Sequence, residues 1–242
     1  MRYLACDLHI HTALSPCADS DMTPCNIVNM AKINGLDVIA ITDHQSCSNV
    51  AAVSTYASSV GLCVIPGMEL ETSESIHMIC LFPSLENALE FEKIVRQSLP
   101  DIKNNAKIFG EQLLFNESDE IIGLEEQMLL ISSGLSFQEA IRLVHHYQGI
   151  CYPAHIDRDA FSVLSVLGTI PEEYSDKTVE ISSSCDIETL YQHFPEAKMY
   201  DLVRSSDAHY LKDILEPGFM VEIAQSDKGE SDISLVIRAL QG

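Results

Sequence analysis

The chain has 242 residues, 36 of them acidic and 14 basic, for a formal net charge of −22 at neutral pH. So acidic a surface repels long polyanions and disfavours duplex DNA or long RNA as partners, since no Lys/Arg cluster offsets it. No apolar run approaches the ~18 residues of a membrane span, the N-terminus lacks a signal-peptide pattern, and the eight cysteines contain no Cys-x-x-Cys pair. The expected setting is cytoplasmic, with reduced thiols and no membrane contact.

Residues 3–6 read as a short strand. Thr23 and Pro24 then open a helix as N-cap and first residue, and Gly35 closes it. An apolar strand over 38–42, a helix over 49–60 ended by Gly61, strands over 62–66 and 76–81, and a helix over 84–97 follow. Such alternation argues for parallel βαβ units in an α/β fold. The rhythm fails over 99–133, where Phe109, Leu113, Leu114 and Phe115 precede an acidic stretch at 117–126. This segment is expected to be an insertion, partly helical, over one end of the domain. Ser136 and Glu139 form a capping box that restarts the pattern. A helix to Tyr147, strands over 150–154, 179–182, 202–205 and 219–223, and a terminal helix over 233–240 complete it. The barrel-forming parts are then 1–98 and 134–242, with 99–133 inserted.

The chemistry-bearing residues gather at the strand ends. His9 and His11 are two apart, as are Asp207 and His209, and residues i and i+2 of an extended strand face the same way. Two such pairs from opposite ends of the chain make a metal site if folding brings them together. Asp43 and His44, Glu69 and His155 follow other strands, and His77 opens one. In a parallel barrel the carboxyl ends of the strands form the active-site face. Six of the nine histidines belong to this set; His145, His146 and His193 fall in or near helices and read as surface or packing residues. Imidazole with carboxylate favours zinc, manganese or iron, and Glu69 is the natural bridge between two ions. Cys17, Cys25 and Cys47 lie in loops near the site, but without zinc-type spacing they are weak candidates for ligands.

These motifs, His9-Ile-His11, Thr42-Asp43-His44, Gly67-Met68-Glu69, His77, Ala154-His155 and Ser206-Asp207-Ala208-His209, resemble those of the PHP (polymerase and histidinol phosphatase) superfamily. The resemblance covers most of the chain outside 99–133. It implies a distorted TIM-like (β/α)7 barrel with two or three divalent ions. By that resemblance His9, His11, Glu69 and Asp207 hold the first ion, and Glu69, His77 and His155 the second. Asp19, His44 and His209 hold the third, with Asp21 competing for the loop position, where many members carry a histidine. The implied function is a stand-alone metal-dependent phosphoesterase acting on a small phosphate ester through a metal-bridged hydroxide. Nucleotides, short oligonucleotide ends and phosphorylated metabolites suit such a site, and the insertion resembles caps in members acting on nucleotides and short RNA ends. Glu69, Asp207 and Arg158 are the expected catalytic residues. Arg158 and then Arg204 are the expected phosphate clamps, although a strand-end salt bridge explains Arg204 equally well. Asp7 and Asp43 are expected to orient ligand histidines. A histidinol-phosphate-type phosphatase, a non-catalytic metal-binding regulatory domain and a metal-dependent amidohydrolase are the alternatives.

Overall fold

A computed structural model describes residues 1–216, 219–224 and 231–241. The barrel range expected through 242 therefore includes residues 217–218, 225–230 and 242, which lie outside the described residues. In chain order the elements are β1 (Arg2–Ile10), α1 (Pro24–Ile33), β2 (Val38–Ile41), α2 (Val50–Val60), β3 (Cys63–Glu71), β4 (His77–Leu81) and α3 (Leu85–Ser98). Next come α4 (Ala106–Phe109), β5 (Leu113–Phe115), β6 (Ile121–Leu124), α5 (Phe137–His146), β7 (Ile150–Pro153), α6 (Val163–Leu167) and β8 (Thr178–Ser182). The chain ends with α7 (Ile187–His193), β9 (Asp201–Ser205), β10 (Met220–Ile223) and α8 (Asp232–Gln241).

One sheet runs in the order β10-β1-β2-β3-β4-β7, and β8 and β9 pair beside it. Backbone bonds from Ile156 N to the Glu180 carbonyl (2.8 Å) and from His11 N to the Ala208 carbonyl (3.0 Å) tie that pair to the segments after β7 and β1. The strands thus curl around one apolar interior in the manner of a distorted TIM barrel. Central strands such as Val38–Ile41 are buried on both faces, which is why they read as unbroken apolar runs.

The expectation of parallel units holds for β1-β2-β3 and β8-β9 but not throughout. β4 runs antiparallel to both β3 and β7, and β10 antiparallel to β1. Between β3 and β4 the chain has only residues 72–76, and so short a link makes a hairpin; a parallel crossover needs a dozen residues or more. β3 is also longer than expected, so Glu69 lies within a strand.

The helix signals are sound where side chains close the cap. Ser136 and Glu139 make the full capping box, and Gly61 ends α2 in the left-handed region at φ 72°. Thr23 does occupy the N-cap of α1, but its hydroxyl donates to Asp119 (2.7 Å) rather than to the helix. That bond shows where the insertion goes. Residues 99–133 form α4 and the β5-β6 hairpin, which pack on the loops after β1 and β2. Leu113 N donates to the Ala13 carbonyl, and the Asn49 amide brackets Leu113 and Phe115. Ala13, Leu113 and Phe115 form a small apolar cluster of their own.

Candidate metal centre

The register of the sheet brings the two terminal pairs together. Ile10 bridges Ala208 in parallel, Ser206 Oγ donates to the His9 carbonyl (3.1 Å), and Ser206 N donates to Asp7 (3.0 Å). His9 Nε2 and His11 Nε2 lie 3.2 and 3.1 Å from Asp207 Oδ1. The loop after β2 joins β3 through a His44–Glu69 bridge, and Gln45 N donates to the Glu69 carbonyl (3.0 Å). Because β4 runs backwards, His77 at its start sits level with Glu71 at the end of β3. A residue that opens a strand thereby joins those that close the others.

Glu69 stands at the centre, 1% exposed. Its Oε1 faces His77 Nδ1 (2.8 Å), His155 Nε2 (3.2 Å) and His9 Nε2 (3.4 Å). Its Oε2 faces His44 Nδ1 (3.0 Å) and His11 Nε2 (3.3 Å). Yet Glu69 Oε2, Asp207 Oδ1 and His155 Nδ1 are buried without an aligned hydrogen bond. Buried polar atoms are ordinarily satisfied. Atoms this close whose lone pairs converge on shared space fit cations that would sit between them. Three groups bring their ligating atoms within 4.8 Å of one another: His9, His11, Glu69 and Asp207; His44, Glu69 and His77; and His11, His44 and His209. The backbone is held in the left-handed region at His155 (φ 29°) and Asp207 (φ 53°), an unfavourable conformation for such residues that aims both side chains inward.

Electrostatics in the metal-free state follow from this crowding. Burial disfavours the imidazolium at His9 and His11, but carboxylates outweigh it: Glu180, Asp207 and Glu69 hold His9 well above its ordinary value, and Asp207 and Glu69 raise His11 to about 9. Burial likewise opposes charge on Glu69 and Asp207, yet the surrounding histidines hold both well below the usual carboxylate range. His209, half-buried and beside His11, falls to about 3.

Several expected residues have other roles. Asp19 does not join a ligand group; its Oδ1 accepts from Asp21 N (2.9 Å), closing the turn it sits in. At the place expected for Asp19 stands Cys17, with Sγ 3.2 Å from His209 Nε2. Arg204 does not face the cluster: its guanidinium donates to the carbonyls of Ser182, Ser183 and Cys185, capping the loop after β8. It is therefore neither a phosphate clamp nor a salt bridge, because backbone carbonyls take its donors. Arg158 does face the cluster, with Nη1 2.5 Å from Asp207 Oδ2 and 44% of its side chain exposed. Asp7 accepts from Ser206 N and Leu215 N, so it orients backbone and not an imidazole. Asp43 acts at one remove, accepting from Ser15 Oγ (2.8 Å), which in turn bonds His11 Nδ1 (2.9 Å). The residue missed altogether is Glu180. Buried in β8, its Oε1 bonds His9 Nδ1 (2.9 Å) and accepts from His155 N (3.1 Å). A lone carboxylate inside the apolar run Thr178–Ser182 was its signal.

A cavity of about 570 Å³ opens onto the cluster, walled by Asp157, Arg158, Phe161, Ser182 and Ser184. None of its lining residues comes from 99–133. Residues 99–133 thus pack on the loops beside the site and contribute none of the cavity's lining residues.

A curled α/β sheet with a buried histidine–carboxylate cluster at its strand ends is a distorted TIM-type barrel with residues that could hold metal ions. The chain belongs to the PHP domain family, whose model matches residues 7–226. Membership bears out the barrel and the expected enzyme class, a metal-dependent hydrolase. The chain is 28% identical over 99 residues to a 5′-3′ exoribonuclease of Haemophilus influenzae, a match covering 38% of this chain and 35% of that protein. It is 36% identical over 76 residues to a protein of Methanocaldococcus jannaschii, covering 28% of this chain and 44% of that one. Among solved structures, the lesion-specific endonuclease Q of Pyrococcus furiosus superposes with a TM-score of 0.62 at 18% identity, over 95% of this chain and 55% of that one. A protein of Bifidobacterium adolescentis assigned as a metal-dependent phosphoesterase superposes at 0.59 and 17% identity, over 97% and 94%. The chain thus spans about half of the endonuclease and matches about a third of the exoribonuclease.

Endonuclease Q is also solved with a 27-mer duplex substrate. This overturns the expectation that a small phosphorylated substrate excludes long nucleic acid. Net charge is a poor guide at a site like this, because repulsion is screened beyond ~10 Å and bound cations reverse the local sign. Among the described residues no helix is long and apolar enough to cross a membrane.

Proposed function

We propose that this chain is a metal-dependent phosphoesterase that cleaves phosphate esters of nucleotides, including nucleic-acid ends. The observation that carries the reading is Glu69, whose two oxygens are shared among five imidazoles beside Asp207 and an open cavity. His9, His11, Glu69 and Asp207 would hold one ion, and Glu69, His77 and His155 a second. His11, His44 and His209 mark the third position. When bound, divalent ions supply an activated water and positive charge against the phosphate.

The protein's own groups do the rest. Asp207 and Glu69 keep their negative charge at neutral pH because histidines surround them. Glu180 fixes His9 through Nδ1, leaving Nε2 directed at the cluster. Asp43 fixes His11 through Ser15. Arg158 donates to Asp207 through Nη1, and a guanidinium has further donors to offer a phosphate entering the cavity. Phe161 stacks on His77 (4.6 Å, 16°) and keeps 44% exposure at the cavity wall, an aromatic surface on which a base can pack. The likeness to an exoribonuclease supports a nucleotide substrate.

The test is cleavage, with each divalent ion added back, of 5′-phosphorylated and 5′-hydroxyl RNA and DNA oligonucleotides, p-nitrophenyl phosphate, amides and lactones. Phosphoester cleavage without amide or lactone hydrolysis is the expected result. Amide or lactone hydrolysis without phosphoester cleavage would overturn the reading in favour of an amidohydrolase.

A further inference from the structure

We propose that Cys17 supplies a thiolate to an ion held by His44 and His209, making the third position a mixed imidazole–thiolate site. The inference rests on the reading of the cluster as an ion-binding centre. His11, His44 and His209 bring their ring nitrogens within 4.8 Å of one another. Cys17 stands at the open rim of that group, its sulfur 3.2 Å from His209 Nε2. The other loop cysteines are turned elsewhere. Cys47 donates to the Gly67 carbonyl and Cys25 to the Glu117 carbonyl. The nearby carboxylate of Asp19 is engaged by Asp21 N.

The loop is built to present this thiol. Asp19 N donates to the His209 carbonyl (2.9 Å), pinning the loop to the strand-end turn that carries the histidine. Ala18 N donates to the Ser15 carbonyl (2.8 Å), and Ser15 itself bonds His11. From the other side the inserted segment presses Gly110 against Pro16. A Cβ on Gly110 would lie 2.3 Å from the Pro16 carbonyl oxygen, and φ of +99° suits glycine alone. The insertion, which does not line the cavity, thus braces the residue next to Cys17.

Coordination would release the thiol proton and leave sulfur bound as thiolate. One sulfur among imidazoles favours zinc or ferrous iron over manganese, whereas the first and second positions, which combine imidazole with carboxylate, accept all three. The three positions are then chemically unequal, with the third the most selective.

The test is cobalt(II) loading followed by absorption spectroscopy and elemental analysis, with no turnover involved. The wild-type protein should show a sulfur-to-cobalt charge-transfer band in the near ultraviolet. Cys17→Ser and Cys17→Ala should lose the band and bind one fewer ion per chain, with circular dichroism unchanged. Gly110→Ala, which leaves the ligands in place, should weaken the band by displacing Pro16. A wild type without the band, or a band retained in Cys17→Ala, would overturn the proposal. An active enzyme without the band sinks the thiolate alone, whereas an inactive protein that keeps it sinks the phosphoesterase reading alone.

Discussion

His9 and Glu69 lie on strands, His11 directly follows β1, and all three are at most 1% exposed, whereas Cys17, Arg158 and His209 reach the same centre from loops and are more open to solvent. The strand-borne group is fixed by ladder register, and its atoms cannot leave one another without breaking the sheet. The loop-borne group is fixed by single hydrogen bonds and by the bracing insertion. The difference separates two tasks. Strands hold charges whose mutual attraction and burial need rigid geometry, while the loops carry the groups proposed to meet substrate and to choose among ions.

The largest effect should come from breaking the buried histidine–carboxylate cluster. Asp207→Ala or His9→Ala is expected to abolish turnover and lower metal content, since either removes a ligand and leaves its partners buried without one. Unchanged phosphoester cleavage in either variant would remove the cluster from the reaction. Arg158→Ala, on the loop side, should lower kcat about 10²-fold with metal content intact; a parallel loss of metal would place Arg158 among the structural groups. Glu180→Gln should weaken metal binding about 10- to 100-fold by loosening His9, read by titration with a competing chelator. Equal affinity would deny Glu180 its orienting role.

A subtler effect concerns pH. Burial works against the imidazolium at His11 and His44, but Asp207 and Glu69 outweigh it at His11 and Glu69 at His44, raising both to about 9 in the metal-free state. A raised pKa adds stability that is complete below the unfolded value of 6.5 and is lost as pH rises through about 9. The metal-free protein should therefore lose Tm between pH 6.5 and 9. The ion-loaded protein, with these rings deprotonated by coordination, should not show that slope. The smallest effect is expected at Arg204. Arg204→Ala should leave kcat unchanged and cost about 1 kcal/mol of stability through its lost carbonyl bonds.

The strand-borne half was the legible one. Spacing of two residues places His9 with His11 at the end of β1, so period and composition sufficed there; Asp207 and His209 follow β9, with Asp207 at φ 53°, and join different ligand groups. His77 was legible as a ligand, although the backward run of β4 that delivers it was not, because strand direction depends on the short 72–76 link. The loop half has no period to read. Asp19 was read as the loop ligand with Asp21 as its competitor, and a sequence does not show that Asp21 N occupies the Asp19 carboxylate. Arg204 looked like a phosphate clamp because three carbonyls from a distant loop are invisible in the chain. Glu180 was passed over because a single charge in a buried strand reads as an irregularity until its imidazole partner, 171 residues away, is in place. The insertion was visible as a break in rhythm, but its packing against Ala13 and Pro16 was not.

The account stands most directly on the ion content of the native protein. Anaerobic purification with elemental analysis, followed by a phosphate-ester screen with each metal restored, should find two or three ions per chain and activity that falls with chelation and returns with metal. A protein that copurifies with no ion, and that no added ion makes active, would contradict it.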